Sequence, residues 1–238
     1  MPEFHPIRTH VFHRKQSLVE FILENLPADQ VQDSMILAIT SKIVSLSEGR
    51  LVKKESISKA DLIQTEADRN FGQIGHGCYL TIKHGLFIAS AGIDESNSEA
   101  GEYILYPKDP FTSARNIWME LRKQWGIENL GILITDSHTS PLRKGVTGIS
   151  LSYWGFHGVK SMVGTSDLFG RKLQMTNINV ADALAAGVTL FMGEANECQP
   201  LATILNSGVT FVEEIDPKEL QIPFEQDLYL PFLLKDSI

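Results

Sequence analysis

Residues 35–42 read Met-Ile-Leu-Ala-Ile-Thr-Ser-Lys, an apolar run that ends abruptly in two hydroxyls and a lysine. Such a run, with no polar alternation, fits a strand buried on both faces. Ser41 and Lys42 then stand at a strand-to-helix junction. Gly131 to Asp136, GILITD, repeats the pattern and leads into a polar loop, SHTSPLRKG. Around these two runs the chain alternates without strict order. A short strand is expected over Ile7 to Phe12. An amphipathic helix follows over Leu18 to Leu26, with Leu18, Phe21, Ile22 and Leu26 at helical spacing. Lys59 to Asn70 reads as a polar helix. Tyr79 to Lys83 and Leu86 to Ser90 read as a hairpin turning at His84-Gly85. Pro110 opens a helix to about Trp125, with Asp109 as its cap. A strand is expected over Val146 to Tyr153. Val180 to Met192 is apolar nearly all round, so a central helix is expected there, capped by Asn179 with Asp182 three residues on. Short strands and Pro-interrupted loops follow from Leu201. Strands and helices mixed in this way predict an α+β fold with a mixed sheet. The 238 residues form one unit, or two intimate subdomains.

Composition narrows the function. With 43% hydrophobic residues the chain can bury a sizeable core without staples. Its formal net charge of -8 argues against a broad nucleic-acid surface, which needs clustered Lys and Arg. An acidic chain still binds nucleotides where a metal ion supplies positive charge. Two cysteines, Cys78 and Cys198, build neither a Cys-rich zinc site nor a disulfide framework. They fit a reducing compartment. The N-terminus has no apolar core of signal-peptide type, and no run reaches the length of a membrane span. The expectation is a cytoplasmic protein with neither nucleic acid nor membrane as partner.

Several familiar motifs fail on spacing. Gly155, Gly158, Lys160 and Ser161 do not form GxxxxGK[ST], and Gly72, Gly75 and Gly77 reverse the dinucleotide fingerprint. Asp136, Ser137 and His138 are contiguous, so neighbouring residues point to opposite faces and no triad forms among them. His5, His10 and His13 read as scattered residues of a mobile terminus.

One constellation does not fail. Asp94, Asp136 and Glu194 each follow a strand or helix and open a small, polar loop, where scaffolds place functional side chains. Hard oxygen ligands suit Mg²⁺ or Mn²⁺, and Asn97 and Ser137 add neutral oxygens nearby. Ser41 and Lys42 suit a phosphate. Arg143 and Lys144 suit a phosphate or a substrate carboxylate. Each residue also has a plain alternative, because an Asp after a strand often only caps a turn. Arg115, in the first turn of its helix, opposes the helix dipole and calls for an anion, from a ligand or a local carboxylate.

Taken together, TSKIVSLSEGRLV (from Thr40), HGLFIASAGIDESN (from His84), DPFTSARNI (from Asp109), ITDS with PLRKG (from Ile134) and NVADALAAGVTLFMGEANECQP (from Asn179) resemble the coenzyme F420-0:L-glutamate ligase family. The likeness runs from about Ile36 to Pro200. It implies a GTP-dependent gamma-glutamyl ligase using Mg²⁺ or Mn²⁺, with ATP as the other nucleotide to consider. It also implies a mixed-sheet fold peculiar to that family and an intertwined homodimer. By position it implies metal ligands at Asp94, Asp136, Ser137 and Glu194. It implies nucleotide contacts at Ser41, Lys42 and Asn97, and in the loop that opens with Met192 and Gly193. The substrates implied are L-glutamate, the nucleotide and a small-molecule carboxylate acceptor, with Arg143 or Lys144 gripping the glutamate α-carboxylate. The chain departs from the family at Leu46, where a second Lys is common, and in DSHTSPLRKG, where the family's loop is of the Asp-Thr-Phe-Gly-Arg type. The altered loop admits a folate acceptor as an alternative. Leu46 argues for a third reading, a non-catalytic nucleotide- or metal-binding homologue. His138 and His157 are the candidates for a base on pKa grounds.

Overall fold

The two apolar runs lie side by side, in parallel, inside a five-stranded sheet. The computed structural model describes residues 1–96, 98 and 101–229. Its strands are β1 (Glu3–Ile7), β2 (Met35–Thr40), β3 (Leu51–Lys53), β4 (Arg69–Gln73), β5 (Tyr79–Lys83), β6 (Leu86–Ala89), β7 (Glu102–Ile104), β8 (Leu130–Thr139), β9 (Val146–Trp154), β10 (Val159–Ser161), β11 (Asn177–Asn179) and β12 (Leu201–Leu205). Its α-helices are α1 (Leu18–Asn25), α2 (Ser41–Ser47), α3 (Lys59–Glu66), α4 (Pro110–Trp125) and α5 (Val180–Met192).

The main sheet has the order β1-β12-β2-β8-β9, and only β2 and β8 run parallel. Alternation along β2 explains the two layers that cover it. Met35, Leu37 and Ile39 point into a core with Phe21 and Ile22 of α1 and Ala114, Ile117 and Leu121 of α4. Ile36 and Ala38 point the other way, onto Ala181, Leu184, Ala185 and Val188 of α5. A strand with both faces covered needs no polar face, which is why the run carries none. A third, smaller core of Leu62, Ile63, Ile93, Tyr103 and Leu105 gathers α3, the β3–β7 ribbon and the β4-β5-β6 sheet. The chain is thus α+β with a mixed sheet, as expected.

Several boundaries move. The first strand is Glu3–Ile7 rather than Ile7 to Phe12, because its pairing with β12 stops at Ile7↔Leu201. The polar helix stops at Glu66, since Asp68 N–H donates to Ile82 O and draws the next residues into β4. β8 continues through Ser137, His138 and Thr139, paired with Gly148, Thr147 and Val146, where a loop was expected. α5 is not central. One stripe packs on the sheet while Leu190 and Phe191 are exposed, and Phe191 stacks on Phe4 at 5.5 Å. Of the N-terminal histidines, His5 lies in β1 and His10 meets Phe21 edge-on at 5.0 Å.

Local chemistry accounts for the rest. His84 and Gly85 both have positive φ, as a two-residue hairpin loop requires. Asp182 does more than cap: its Oδ1 accepts Ser150 N–H at 2.9 Å and pins α5 to β9. Arg115 finds a local partner, Glu214 at 3.5 Å, and covers the Trp154 ring. β10 and β11 form a two-stranded arm, beyond which Leu168, Phe169 and Met175 are almost fully exposed. Among the described residues no helix is long and apolar enough to cross a membrane.

Candidate active site

Register assembles the site. Thr40 pairs with Thr135 across the parallel strands, so Ser41-Lys42, where β2 gives way to α2, lie beside Asp136-Ser137 of β8. All four line a cavity of about 980 Å³. Asp94, Met192, Gly193 and Glu194 line it too. Asn97 lies outside the described residues. Arg143 and Lys144 are exposed in the turn between β8 and β9, while the preceding Ser140 and Pro141 belong to the cavity wall. His138 also lines the cavity, with its Nδ1 3.2 Å from Thr147 O, whereas His157 lies beside Glu219 at 3.4 Å. Leu46, Ile74, Leu80 and Phe87 add an apolar part to its lining.

Asp94 is delivered by an unusual turn. Ser90, Ala91 and Gly92 all have φ between 52° and 69°. Non-glycine residues enter that region at a cost, and such strain persists only where the surroundings hold it. Here Thr81 Oγ1 accepts Ala91 N–H at 2.8 Å, and Ser90 Oγ accepts Tyr79 N–H at 3.2 Å. Asp94 then bridges Ile104 backbone to backbone, with its carboxylate facing Lys42. Lys42 Nζ is 2.6 Å from Asp94 Oδ2 and donates to Ser96 Oγ at 3.0 Å. Ser96 N–H donates to Asp94 Oδ1 at 2.7 Å. Burial acts to raise the Asp94 pKa, but the hydrogen bonds from Lys42 and Ser96 together bring it below the usual carboxylate value.

Asp136 behaves differently. Burial pushes its pKa up to about 6, against the hydrogen bonds from Tyr106 and from the Ser137 backbone; the nearby Asp94 charge adds to the rise. The Tyr106 hydroxyl donates to Asp136 Oδ2. Burial and the Asp136 charge hold that tyrosine well above its ordinary pKa, so it stays a donor. Tyr106 is itself fixed: Arg50 Nε donates to its carbonyl at 2.9 Å, and its ring lies directly over Gly92. Glu194 is also raised, first by burial, although a hydrogen bond with Ser137 and the Lys42 charge oppose this. Gly193 has φ 84°, and the Glu197 side chain occupies the place a Cβ would take. Tyr106, Gly92 and Ser96 went unmarked in the sequence. The tyrosine joins the site by reaching Asp136, thirty residues away.

These residues suit a divalent cation by the chemistry of the donor set. Hard oxygens from Asp94, Asp136, Ser137 and Glu194 face one cavity, and two of the carboxylates hold their protons more tightly than usual. As placed, no three His, Cys, Asp or Glu side chains among the described residues form a group that would hold a metal ion. The donors share a cavity without yet converging.

The family model described as F420-0:Gamma-glutamyl ligase matches residues 6–206. The Coenzyme F420:L-glutamate ligase of Methanopyrus kandleri is 32% identical over 77% of this chain and 78% of its own length. Those of Methanococcus maripaludis and Methanocaldococcus jannaschii are each 33% identical, over 84% of this chain and 86% of their own length.

Proposed function

The chain belongs to the F420-0:gamma-glutamyl ligase family, and we propose that it joins L-glutamate to the terminal carboxylate of a coenzyme F420-0-like acceptor at the cost of a nucleoside triphosphate. The observation that carries this reading is the meeting of Lys42 with Asp94, Asp136, Ser137 and Glu194 around one large cavity. Side chains of both signs beside apolar lining residues suit a charged phosphate chain and a ring system together.

A carboxylate is a poor electrophile at neutral pH and must be activated. In the proposed sequence the acceptor carboxylate oxygen attacks the γ-phosphorus of GTP, or of ATP. The bond to the nucleoside diphosphate breaks and an acyl phosphate forms. The glutamate amine then attacks the acyl carbon, phosphate leaves, and the amine proton is lost. Lys42 holds phosphate oxygens, while Ser41 and the Met192–Gly193 backbone lie against the nucleotide. Asn97 is assigned a nucleotide contact from the family resemblance alone. Arg143 and Lys144, on the turn that continues the wall from Pro141, are assigned the α-carboxylate of the glutamate. A Mg²⁺ or Mn²⁺ ion, held by Asp94, Asp136, Ser137 and Glu194, would neutralise charge on the phosphoryl oxygens.

Incubating the protein with labelled glutamate, nucleotide, metal and either acceptor tests this directly. The expected result is a mass increase of one glutamyl residue on the deazaflavin acceptor. The folate arm belongs in the same assay, because the departing segment from Ser137 to Pro141 lines the cavity. Addition to folate alone would transfer the reading to that acceptor, and addition to neither would leave a non-catalytic binding protein. Calorimetry should show nucleotide binding that a chelator abolishes. Equal affinity with and without chelator would count against the metal.

The β10–β11 arm supports a homodimer. Leu168, Phe169 and Met175 expose apolar surface at its end, which a second copy would cover. Sedimentation at micromolar concentration should give a dimer that a Leu168→Glu, Phe169→Glu double substitution dissociates. A monomeric parent protein would remove the inference.

A further inference from the structure

We infer that Lys42 is a built-in counter-ion for Asp94, which the incoming cation displaces and which then moves onto the nucleotide phosphates. The inference rests on the reading of this cavity as a metal and nucleotide site, and adds to it the exchange of partners that couples the two ligands.

The geometry leaves Asp94 with little free acceptor capacity. Its Oδ1 accepts Ser96 N–H at 2.7 Å, and its Oδ2 accepts the Ser96 hydroxyl at 3.0 Å while pairing with Lys42 Nζ at 2.6 Å. A cation that binds Asp94 must therefore compete with an ammonium already in place. The same ammonium lines one cavity with the other two carboxylates, Asp136 and Glu194. Lys42 thus occupies, at Asp94, the place that a cation binding this carboxylate would need.

Displacement has a consequence for the second ligand. Lys42 starts in the first turn of α2, beside Ser41, and carries four rotatable methylenes. Released from Asp94, its ammonium needs an anion, and the phosphates are the anion the reaction brings. Each ligand thus completes what the other needs. Linkage requires the assistance to be reciprocal, with typical coupling of about 5- to 150-fold.

The test compares the parent chain with Lys42→Met, Lys42→Gln and, as a control, Lys54→Met. Lys54 pairs with Glu95, the neighbour of Asp94, so its loss removes a nearby charge without touching the proposed exchange. Mn²⁺ binding is read without nucleotide from the electron paramagnetic resonance signal of the free ion. Binding of preformed Mn²⁺–GTP is read by calorimetry. Both Lys42 variants are expected to bind Mn²⁺ alone about tenfold more tightly than the parent, and Mn²⁺–GTP about tenfold more weakly. Lys54→Met should change neither by more than about twofold. Unchanged Mn²⁺ affinity in the Lys42 variants would overturn the exchange and leave the metal site standing. So would an equal gain in Lys54→Met, which would show a general charge effect. Failure of every chain to bind Mn²⁺, with or without nucleotide, would sink the site itself and this inference with it.

Discussion

Asp136→Asn is expected to abolish most of the turnover and, at neutral pH, to make the metal-free chain more stable. The substitution keeps the shape, and the new amide oxygen can still accept from Tyr106. Turnover should fall by about 10²-fold or more, because metal clamps contribute several kcal/mol to phosphoryl-transfer transition states. The stability gain follows from the raised pKa. A carboxyl at about 6 in the folded chain, against 3.8 for the ordinary group, is bound to its proton more tightly when folded. Its contribution is fully present below about pH 4 and is lost as pH rises through about 6. The ionised form then costs on the order of 2–3 kcal/mol at neutral pH. Asparagine never ionises, so urea melts in the presence of chelator should show a gain near pH 7.5 that vanishes near pH 4. If Asp136 serves only the strand's structure, the variant melts earlier and turns over normally, and the assignment is lost.

Gly92→Ala should be among the most damaging single-methyl changes in the molecule. An added Cβ would lie 2.1, 2.2 and 2.6 Å from three atoms of the Tyr106 ring, and the backbone there has φ +69°. The left-handed conformation costs an alanine about 1 kcal/mol, and overpacking against a held ring a further 1–3 kcal/mol. The melting temperature should fall on the order of 5–15 °C. Gly49 provides the control: its φ is +68°, yet an added Cβ there meets nothing within 4 Å. Gly49→Ala should therefore show the backbone cost alone. Turnover should fall with Gly92→Ala and not with Gly49→Ala, because a displaced Tyr106 withdraws its hydroxyl from Asp136. Equal losses in the two variants would mean that the ring yields and that the contact is unimportant.

Some of this was legible in the sequence, for physical reasons. β2, α4 and α5 were bounded correctly, because buried runs and helix caps are local signals. Asp109 accepts Thr112 N–H and Asn179 accepts Asp182 N–H, as their spacing suggested. The outer half of β8 was hidden because Asp136, Ser137 and His138 are polar residues in a partly exposed strand, and composition alone does not separate that from a loop. The exposed side of α5 was hidden for the opposite reason: an apolar residue signals burial only on average, and Leu190 is 80% exposed. Among the candidate residues, Ser41, Lys42, Asp94, Asp136, Ser137, Met192, Gly193 and Glu194 line one cavity. Their positions followed from element ends and from the order of the matching segments. The Lys42–Asp94 pair and the Tyr106 hydroxyl were not legible, because each joins residues whose meeting depends on the finished fold.

The parallel pairing of β2 with β8 also governs when the site comes into being. Thr40 and Thr135 are about 95 positions apart in the chain, and no local turn can bring them together. Closing so long a loop is paid before its contacts are made, so this pairing slows the search for the native state. A pocket whose floor is that pairing does not exist until the barrier is largely crossed. Ligands that fit it act on the product of folding and not on its path. They lengthen the lifetime of the folded molecule and leave the pace of its formation as it was.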